Sequence, residues 1–339
     1  MRTVRHRFAR HVSAAALTVL AAAFALPALA NDSTAVIATG GLKLVRTDAV
    51  QMASEDLYVS EKQIRVRYVF HPVEGKELVT IVAFPLPLIF INNMDANIGL
   101  PAPAKDDPLN LVDFHVRVDG KPVKPRIQAR ALVNGVDKTA ILKKYGIPLT
   151  DQDDPAAFQK KLDSLPPAAR AELEDNKLVD WNSQWDENNQ PSATYHWDLE
   201  LVYYWRQTFS GKRHVTIDHD YRPIAGAFFY MPFHPEPWVK KTYCTDESFI
   251  RAAARKVKGK DEYAALLGAQ VHYILTTAGN WAGSIGHFHL VLDKGAPDNL
   301  ISLCWKGRLK KTSPTRFEFT ARDFTPEGEL KVLIVKDIR

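Results

Sequence analysis

Two histidines near the C-terminal end have a spacing that suits metal chemistry. In the run GHFHL, His287 and His289 alternate with Phe288, so a β-strand places both imidazoles on one face. Positions i and i+2 of a strand lie roughly 7 Å apart, and imidazole binds both zinc and copper. No third ligand follows from the spacing. The pair therefore indicates either a weak metal site or two solvent-facing strand residues.

A second polar cluster lies at residues 214–220. In HVTIDHDY, alternation places His214, Asp218 and Asp220 on one face and His219 on the other. An acid–base or metal site here requires groups from elsewhere to converge on these side chains. The hypothesis that follows is a hydrolase or a metal-dependent enzyme whose histidines meet only in the folded chain. The sequence itself identifies no catalytic residue, no metal and no cofactor.

Other catalytic patterns are incomplete. Ser284 lies in AGSIG, which resembles a nucleophile elbow, but the elbow needs a following helix and HFHLVLD has the pattern of a strand. The acidic run 151–154 lacks the glycine and glutamate of a calcium loop, and helix capping explains it better.

Two tryptophans in a polar stretch suggest a binding surface. Trp181 and Trp185 lie in WNSQWDENNQP, where aromatic rings beside Asn, Gln and Asp could stack on a sugar or anchor a peptide. The alternative is that both rings cover a seam between structural units.

The elements that must position these residues are mostly strands. Period-2 alternation is clear at residues 64–71, 112–118, 195–205 and 214–221, and it predicts half-buried antiparallel strands. We expect a mainly β chain, all-β or α+β in class, with two mostly antiparallel β-sandwich-like units, residues 31–136 and 193–339. A helical insertion at 137–192 separates them, and a short helical pair lies near 245–268.

The first thirty residues have the order of a secretory signal peptide. Four arginines precede the apolar run 14–26, and Ala28-Leu29-Ala30 follows, which predicts cleavage between Ala30 and Asn31. The run is too short to span a bilayer, and no later segment is long enough. Removing four arginines from 44 basic residues leaves 40 against 39 acidic ones, a net charge of +1. The whole-chain charge of +5 therefore gives no support for nucleic-acid binding.

Both cysteines, Cys244 and Cys304, belong to the predicted mature chain. An even pair in an oxidising compartment favours a disulfide, and a reactive thiol or a pair of metal ligands is the alternative. A long segment, residues 92–111, is rich in Pro, Asn and Asp and shows no periodicity. Such a loop is either functional or a surface excursion, and its role stays open.

The chain resembles the domain of unknown function 4424 family of bacterial exported proteins. The resemblance is carried by residues 31–70 and by the runs IVAFPLPLI, YCTDESF, NWAGSIGHFHLVLDKGAPDNLISLCW, SPTRFEF and ARDFTPEGELKVLIV. It implies a Gram-negative envelope setting and pairing of Cys244 with Cys304, and it carries over no activity. Residues 58–130 are also similar in order to the vault and inter-alpha-trypsin domain, a β-sandwich interaction module.

Together these observations predict a periplasmic protein that binds or scaffolds another envelope component without catalysis. The partner would be an envelope protein, a glycan or a peptide, and not a nucleic acid. The alternatives are the enzyme with convergent histidines and a glycan- or peptide-binding module centred on the two tryptophans.

Overall fold

The computed structural model describes most of the chain after the predicted leader. The described residues are 32–38, 41–73, 77–90, 107–151, 154–185, 191–211, 213–259, 261 and 263–338. The predicted signal peptide, its cleavage site at Ala30 and Asn31, and residues 92–106 of the long segment lie outside them.

Strands dominate the described chain. In order they are β1 Ser33–Ala38, β2 Gly41–Val45, β3 Val50–Ser60, β4 Ile64–Pro72, β5 Leu78–Pro85, β6 Ile89–Phe90, β7 His115–Val118, β8 Lys121–Val123, β9 Arg126–Val133, β10 Val136–Asp137, β11 Val179–Trp185, β12 Pro191–Tyr195, β13 Asp198–Phe209, β14 Val215–Tyr221, β15 Gly226–Tyr230, β16 Leu266–Ile274, β17 Ile285–Asp293, β18 Leu300–Leu303, β19 Lys310–Lys311, β20 Arg316–Phe324 and β21 Glu329–Lys336. The helices are α1 Thr139–Lys144, α2 Pro155–Asp163, α3 Pro167–Asp175, α4 Pro237–Tyr243, α5 Glu247–Lys256 and a 3-10 turn at Thr276–Asn280. The predicted mainly β class is confirmed.

The first large sheet has the strand order β10-β9-β13-β5-β1-β2, with β6 paired to β13, and all its pairings are antiparallel. Its long strand β13 has the predicted alternation, since Leu199, Leu201 and Tyr203 are fully buried. The strand β5 ends at Pro85, where a proline cannot donate to the ladder, and pairing with β13 resumes at β6.

The second large sheet has the order β19-β20-β17-β3-β4-β14-β7-β8. Its pairings are antiparallel except for β3 with β17, which run parallel with Leu57 opposite Leu290. The strand β3 has a bulge between Met52 and Ser54 where it faces β4. Strands from distant parts of the chain therefore meet at the middle of this sheet.

One core joins the inner faces of the two large sheets. Phe114, directly before β7 of the second sheet, stacks on Tyr203 of β13 in the first sheet with ring centroids 4.4 Å apart. Trp205 of β13 contacts His219 of β14 edge-on, with ring centroids 5.5 Å apart. Strands from both predicted β-units, 31–136 and 193–339, occur in both sheets. The predicted boundaries therefore do not separate the sheets, because alternation shows which face of a strand is buried but not which strand lies beside it.

The predicted helical insertion has a small core of its own. Asp154 caps α2 by accepting a hydrogen bond from the Ala157 amide at 2.9 Å, with Pro155 in the first turn. The buried residues of this core include Leu142, Phe158, Leu162, Leu173 and Trp181 of the insertion and Trp197, which follows it.

A four-stranded sheet, β15-β16-β21-β18, completes the fold and packs against α4 and α5. The expected helices near 245–268 need correction, because residues 266–268 belong to β16 and the helical pair spans 237–256 instead. Gly268 favours this outcome, since a glycine weakens a helix and its bare backbone here lies against the Phe228 ring. The Cys244–Cys304 disulfide, with Cα atoms 5.0 Å apart, connects the end of α4 to the segment after β18.

Candidate ligand-binding site

An open cleft of about 710 Å³ lies where the first large sheet meets the four-stranded sheet. Its lining residues are Leu86, Pro87, Leu88, Ile89, Phe90, Val112, Tyr221, Pro223, Ile224, Gly226, Glu236, Trp238, Gln270 and His272. A volume of this size is typical of sites for small organic molecules.

One wall of the cleft is the segment 86–90, which follows the two prolines at the end of β5. The Leu86 amide donates to the Leu201 carbonyl at 2.9 Å, which holds the segment against β13 between β5 and β6. Ile89 is buried, whereas Phe90 keeps about half of its surface exposed. A second apolar part of the lining, which we call the second wall, includes Ile224 and Trp238, and the ring of Trp238 is 44% exposed at the start of α4. Both walls are therefore apolar and partly open to solvent.

The floor of the cleft is polar and comes from β16. Gln270 and His272 are two residues apart on this strand, on the face opposite to the buried Ala269, Val271 and Tyr273. The Tyr243 hydroxyl, fully buried at the end of α4, donates to Gln270 Oε1 at 2.6 Å. The same oxygen lies 3.0 Å from His272 Nε2. The three side chains form one connected group, which we call the polar floor.

The polar floor is uncharged at neutral pH. Burial lowers the pKa of His272 to about 4, with a further decrease from the positive charge of Lys331. Burial also raises the pKa of the Tyr243 hydroxyl far above its ordinary value. Among the described lining residues, Glu236 is therefore the one that carries a charge, and it lies exposed at the start of α4. The site is suited to hydrogen bonding and apolar contact.

The structure does not bring the rings of the four predicted histidines together. His219 and His289 both line an open depression of about 490 Å³ with Asp56, Asp218 and Asp220, but the His219 side chain is fully buried and is not available to a ligand there. His287 is exposed on β17, and His289 on the same face lies 3.1 Å from Asp56 and 3.8 Å from Glu318. The exposed ring of His214, beside β14, lies tilted against His71 with ring centroids 4.6 Å apart. Two strands separate β17 from β14, a distance of roughly 14 Å at the usual strand spacing.

His219 faces the opposite way, as alternation predicts, and its side chain is fully buried in the main core. Its ring meets Tyr68, Phe84 and Trp205 edge-on, and its Nε2 lies 3.6 Å from Asp32 Oδ1. Burial lowers the pKa of His219 to about 3 and raises that of Asp32, which the nearby Glu55 raises further. Burial thus favours the neutral form of each partner, and both side chains are closed off from solvent.

Three other predicted site residues, Trp181, Cys244 and Cys304, have structural surroundings, and the side chain of Trp185 lies outside the part that the structure describes. Trp181 is buried in the helical unit, with the Arg170 guanidinium 5.4 Å from its ring, so it offers little surface to a glycan or peptide. Cys244 and Cys304 are bonded to each other and leave no free cysteine thiol. Across the described residues, no group of three or more His, Cys, Asp or Glu side chains is placed to hold a metal ion.

Sequence reasoning missed the polar floor. The alternation of LLGAQVHYI places Gln270 and His272 on one face of the strand, which indicates a polar face opposite an apolar one. It does not indicate that Tyr243, from a separate helix, contacts both. Nor does it show that the segment 86–90, more than 150 residues earlier, forms the wall above them.

The fold and the cleft define a mainly β protein in which face-packed sheets share one core and leave an apolar cavity with a polar floor. The chain belongs to the family described as Domain of unknown function (DUF4424), whose match covers residues 30–333 and confirms the resemblance seen in the sequence. No curated protein matches the chain. Among solved structures, the chain is similar to the crystal structure of a "putative nutrient binding protein" from Legionella pneumophila subsp. pneumophila. The two are 18% identical, the similarity covers 91% of this chain and 70% of that one, and the TM-score is 0.44. No helix in the described part of the chain has the length and apolar character needed to cross a membrane.

Proposed function

We propose that this protein is a non-enzymatic binding protein of the bacterial cell envelope, and that its ligand is a largely apolar small molecule held in the cleft. The observation that carries this proposal is the cleft itself, with two apolar walls and a small polar floor. Apolar walls supply the binding free energy, at roughly 25 cal/mol per Å² of surface removed from water. A few fixed polar groups orient the ligand.

The charge of the site supports binding over catalysis. The histidine and tyrosine of the polar floor are held neutral by burial, and each is engaged with the other through the Tyr243 oxygen. A general base usually needs a pKa near the working pH, and His272 with a pKa of about 4 is far below it. The group is therefore better suited to holding a ligand than to moving a proton.

The test is to fill the cleft and measure binding of an uncharged fluorescent probe, N-phenyl-1-naphthylamine. We expect the unaltered protein to bind it and Leu88→Trp to weaken binding at least about tenfold, because the larger ring occupies the cavity. Leu88 lines the cleft and belongs to no core cluster, so the fold should tolerate the change. The matched control is Ile37→Trp, since Ile37 is 70% exposed on β1 and does not line the cleft. Equal binding by both variants would contradict the proposal.

The envelope setting is part of the same proposal. The signal-peptide pattern of residues 1–30 and the Cys244–Cys304 disulfide both suit an oxidising periplasm. Expression of the full chain in a Gram-negative host should release the protein by osmotic shock, with Asn31 as its first residue by N-terminal sequencing. Recovery of the unprocessed chain from the cytoplasm would argue against export.

A further inference from the structure

The polar floor has one consistent arrangement of hydrogen atoms. Gln270 Oε1 can only accept a hydrogen bond, so the single hydroxyl hydrogen of Tyr243 is donated to it. The 3.0 Å contact between the same hydroxyl oxygen and His272 Nε2 then requires the imidazole to be the donor. A neutral imidazole carries one N–H, which places it on Nε2.

This arrangement fixes what remains for a ligand. His272 Nδ1 carries a lone pair and is an acceptor, and the Gln270 amide nitrogen is a donor. Neither atom is engaged by Tyr243. The cleft therefore presents one donor and one acceptor side by side on β16, beneath two apolar walls.

From this pattern, and resting on the proposed binding function, we infer that the ligand is an amphiphile with an uncharged head group that both accepts and donates a hydrogen bond. A primary carboxamide or a hydroxyl group meets this requirement, and its alkyl chain would lie along Leu86, Ile89 and Phe90. Tyr243 is a positioning residue, because its hydroxyl sets the orientation of both Gln270 and His272.

Charged head groups fit the floor less well. A carboxylate only accepts hydrogen bonds, so it would face the lone pair of His272 Nδ1. The described lining contains no cation, and the charge it does contain, Glu236, repels an anion. A quaternary ammonium group makes no hydrogen bond and would leave both floor atoms unpaired, which costs free energy in a desolvated site.

The experiment compares four amphiphiles with the same chain length: decanamide, decanol, decanoate and decyltrimethylammonium. Each displaces N-phenyl-1-naphthylamine from the mature protein at neutral pH, below its aggregation concentration. We expect decanamide and decanol to bind at least about tenfold more tightly than the two charged compounds, the difference that one or two satisfied hydrogen bonds supply.

Tyr243→Phe tests the positioning role. It keeps the buried ring and removes the hydroxyl, so the Gln270 amide is free to rotate and the donor–acceptor pattern is lost. We expect decanamide binding to fall about tenfold while binding of the naphthylamine probe, which relies on the apolar walls, changes little. The matched control is Tyr230→Phe, because the buried Tyr230 hydroxyl makes no hydrogen bond within the described part of the chain and Tyr230 does not line the cleft. Nitrogen-15 NMR of His272 should show a protonated Nε2 and a bare Nδ1 in the unaltered protein and a mixture of tautomers in Tyr243→Phe.

The outcomes separate the two proposals. If the naphthylamine probe does not bind, or binds equally well to Leu88→Trp, the proposed function fails and this inference fails with it. If the probe binds in the cleft but decanoate or decyltrimethylammonium competes best, or if Tyr243→Phe and Tyr230→Phe bind decanamide equally, the inference about the head group is overturned and the binding function stands.

Discussion

At the scale of single residues, the buried pair of His219 and Asp32 links stability to pH. Burial lowers the pKa of His219 from 6.5 to about 3, so between these values the unfolded chain binds a proton that the folded chain excludes. His219 therefore reduces the free energy of unfolding as the pH falls, by about 1.4 kcal/mol per pH unit in this range. Asp32 acts in the opposite direction. Its raised pKa gives stability that is present at low pH and is lost as the pH rises above 3.8.

The pH effect of His219 can be isolated with His219→Gln. We expect this variant to gain stability relative to the unaltered protein by about 2 kcal/mol on going from pH 6.5 to pH 5, because glutamine does not titrate. The measurement is urea unfolding at a series of pH values, read as the difference between the two proteins. His214→Gln is the control, since that ring is exposed to solvent, and its difference should not follow this trend. A flat difference for His219→Gln would instead indicate that His219 and Asp32 form an ion pair in the core.

Alternation in the sequence is enough to predict which face of a strand a side chain occupies. It placed His219 on the inward face and His214 on the outward face, as the structure shows. It gave no indication that Gln270 and His272 meet Tyr243, because those contacts depend on how α4 lies against β16. The orientation of one element on another is set by packing across the whole core, which a single sequence does not state.

At the scale of elements, the junction of β3 with β17 depends on one glycine. A Cβ atom built on Gly286 would lie 2.7 Å from the Ala53 carbonyl oxygen, next to the bulge in β3. That oxygen belongs to the backbone, so it cannot move aside as a flexible side chain can. The absence of a side chain at Gly286 therefore lets the two strands approach.

We expect Gly286→Ala to lower the free energy of unfolding by about 1–3 kcal/mol, the usual cost of overpacking a tight site. Gly279→Ala is a matched control, because a Cβ atom there meets nothing within 4 Å. Its stability should stay within about 0.5 kcal/mol of the original value. The midpoints and slopes of urea unfolding for the three proteins measure these changes. Equal midpoints for the two variants would show that the β3–β17 junction can accommodate a methyl group at residue 286.

Element boundaries show which part of the fold the sequence specifies. The start of α2 follows from Asp154 and Pro155, and the end of β5 follows from Pro85, because a cap and a proline act locally. The helical pair expected near 245–268 extends too far toward the C-terminus, because DEYAALLG also suits a helix by composition. Pairing of Leu266–Ile274 with both β15 and β21 outweighs that local preference.

At the scale of the whole molecule, both large sheets combine early and late parts of the chain. The strand β5 lies between β1 and β13, and β3 lies between β4 and β17. A fragment of residues 31–136 therefore loses β13 beside β5 and β17 beside β3. It also loses the rings of Tyr203, Tyr273 and Phe288 from the shared core.

We expect the fragment 31–136 to show no cooperative unfolding transition in urea, while the chain 31–339 shows a single one, because a sheet with exposed central edges and half a core cannot offset its conformational entropy. Far-UV circular dichroism and amide NMR dispersion measure this directly. A cooperative transition with dispersed amide signals from the fragment would show that the first unit folds alone.

The parallel pairing of β3 with β17 also has a consequence for the order of events during synthesis. The Tyr58 hydroxyl donates to Asp293, which is 235 positions later in the chain. A polypeptide made from its N-terminus onward completes β3 long before β17 exists, so one long edge of β3 must wait for most of the remaining chain. Open strand edges are sites of aggregation, and contacts this distant in sequence form slowly. During synthesis the chain is therefore prone to aggregation until residues 285–293 have been made. It must be kept apart from other chains until β17 can pair with β3.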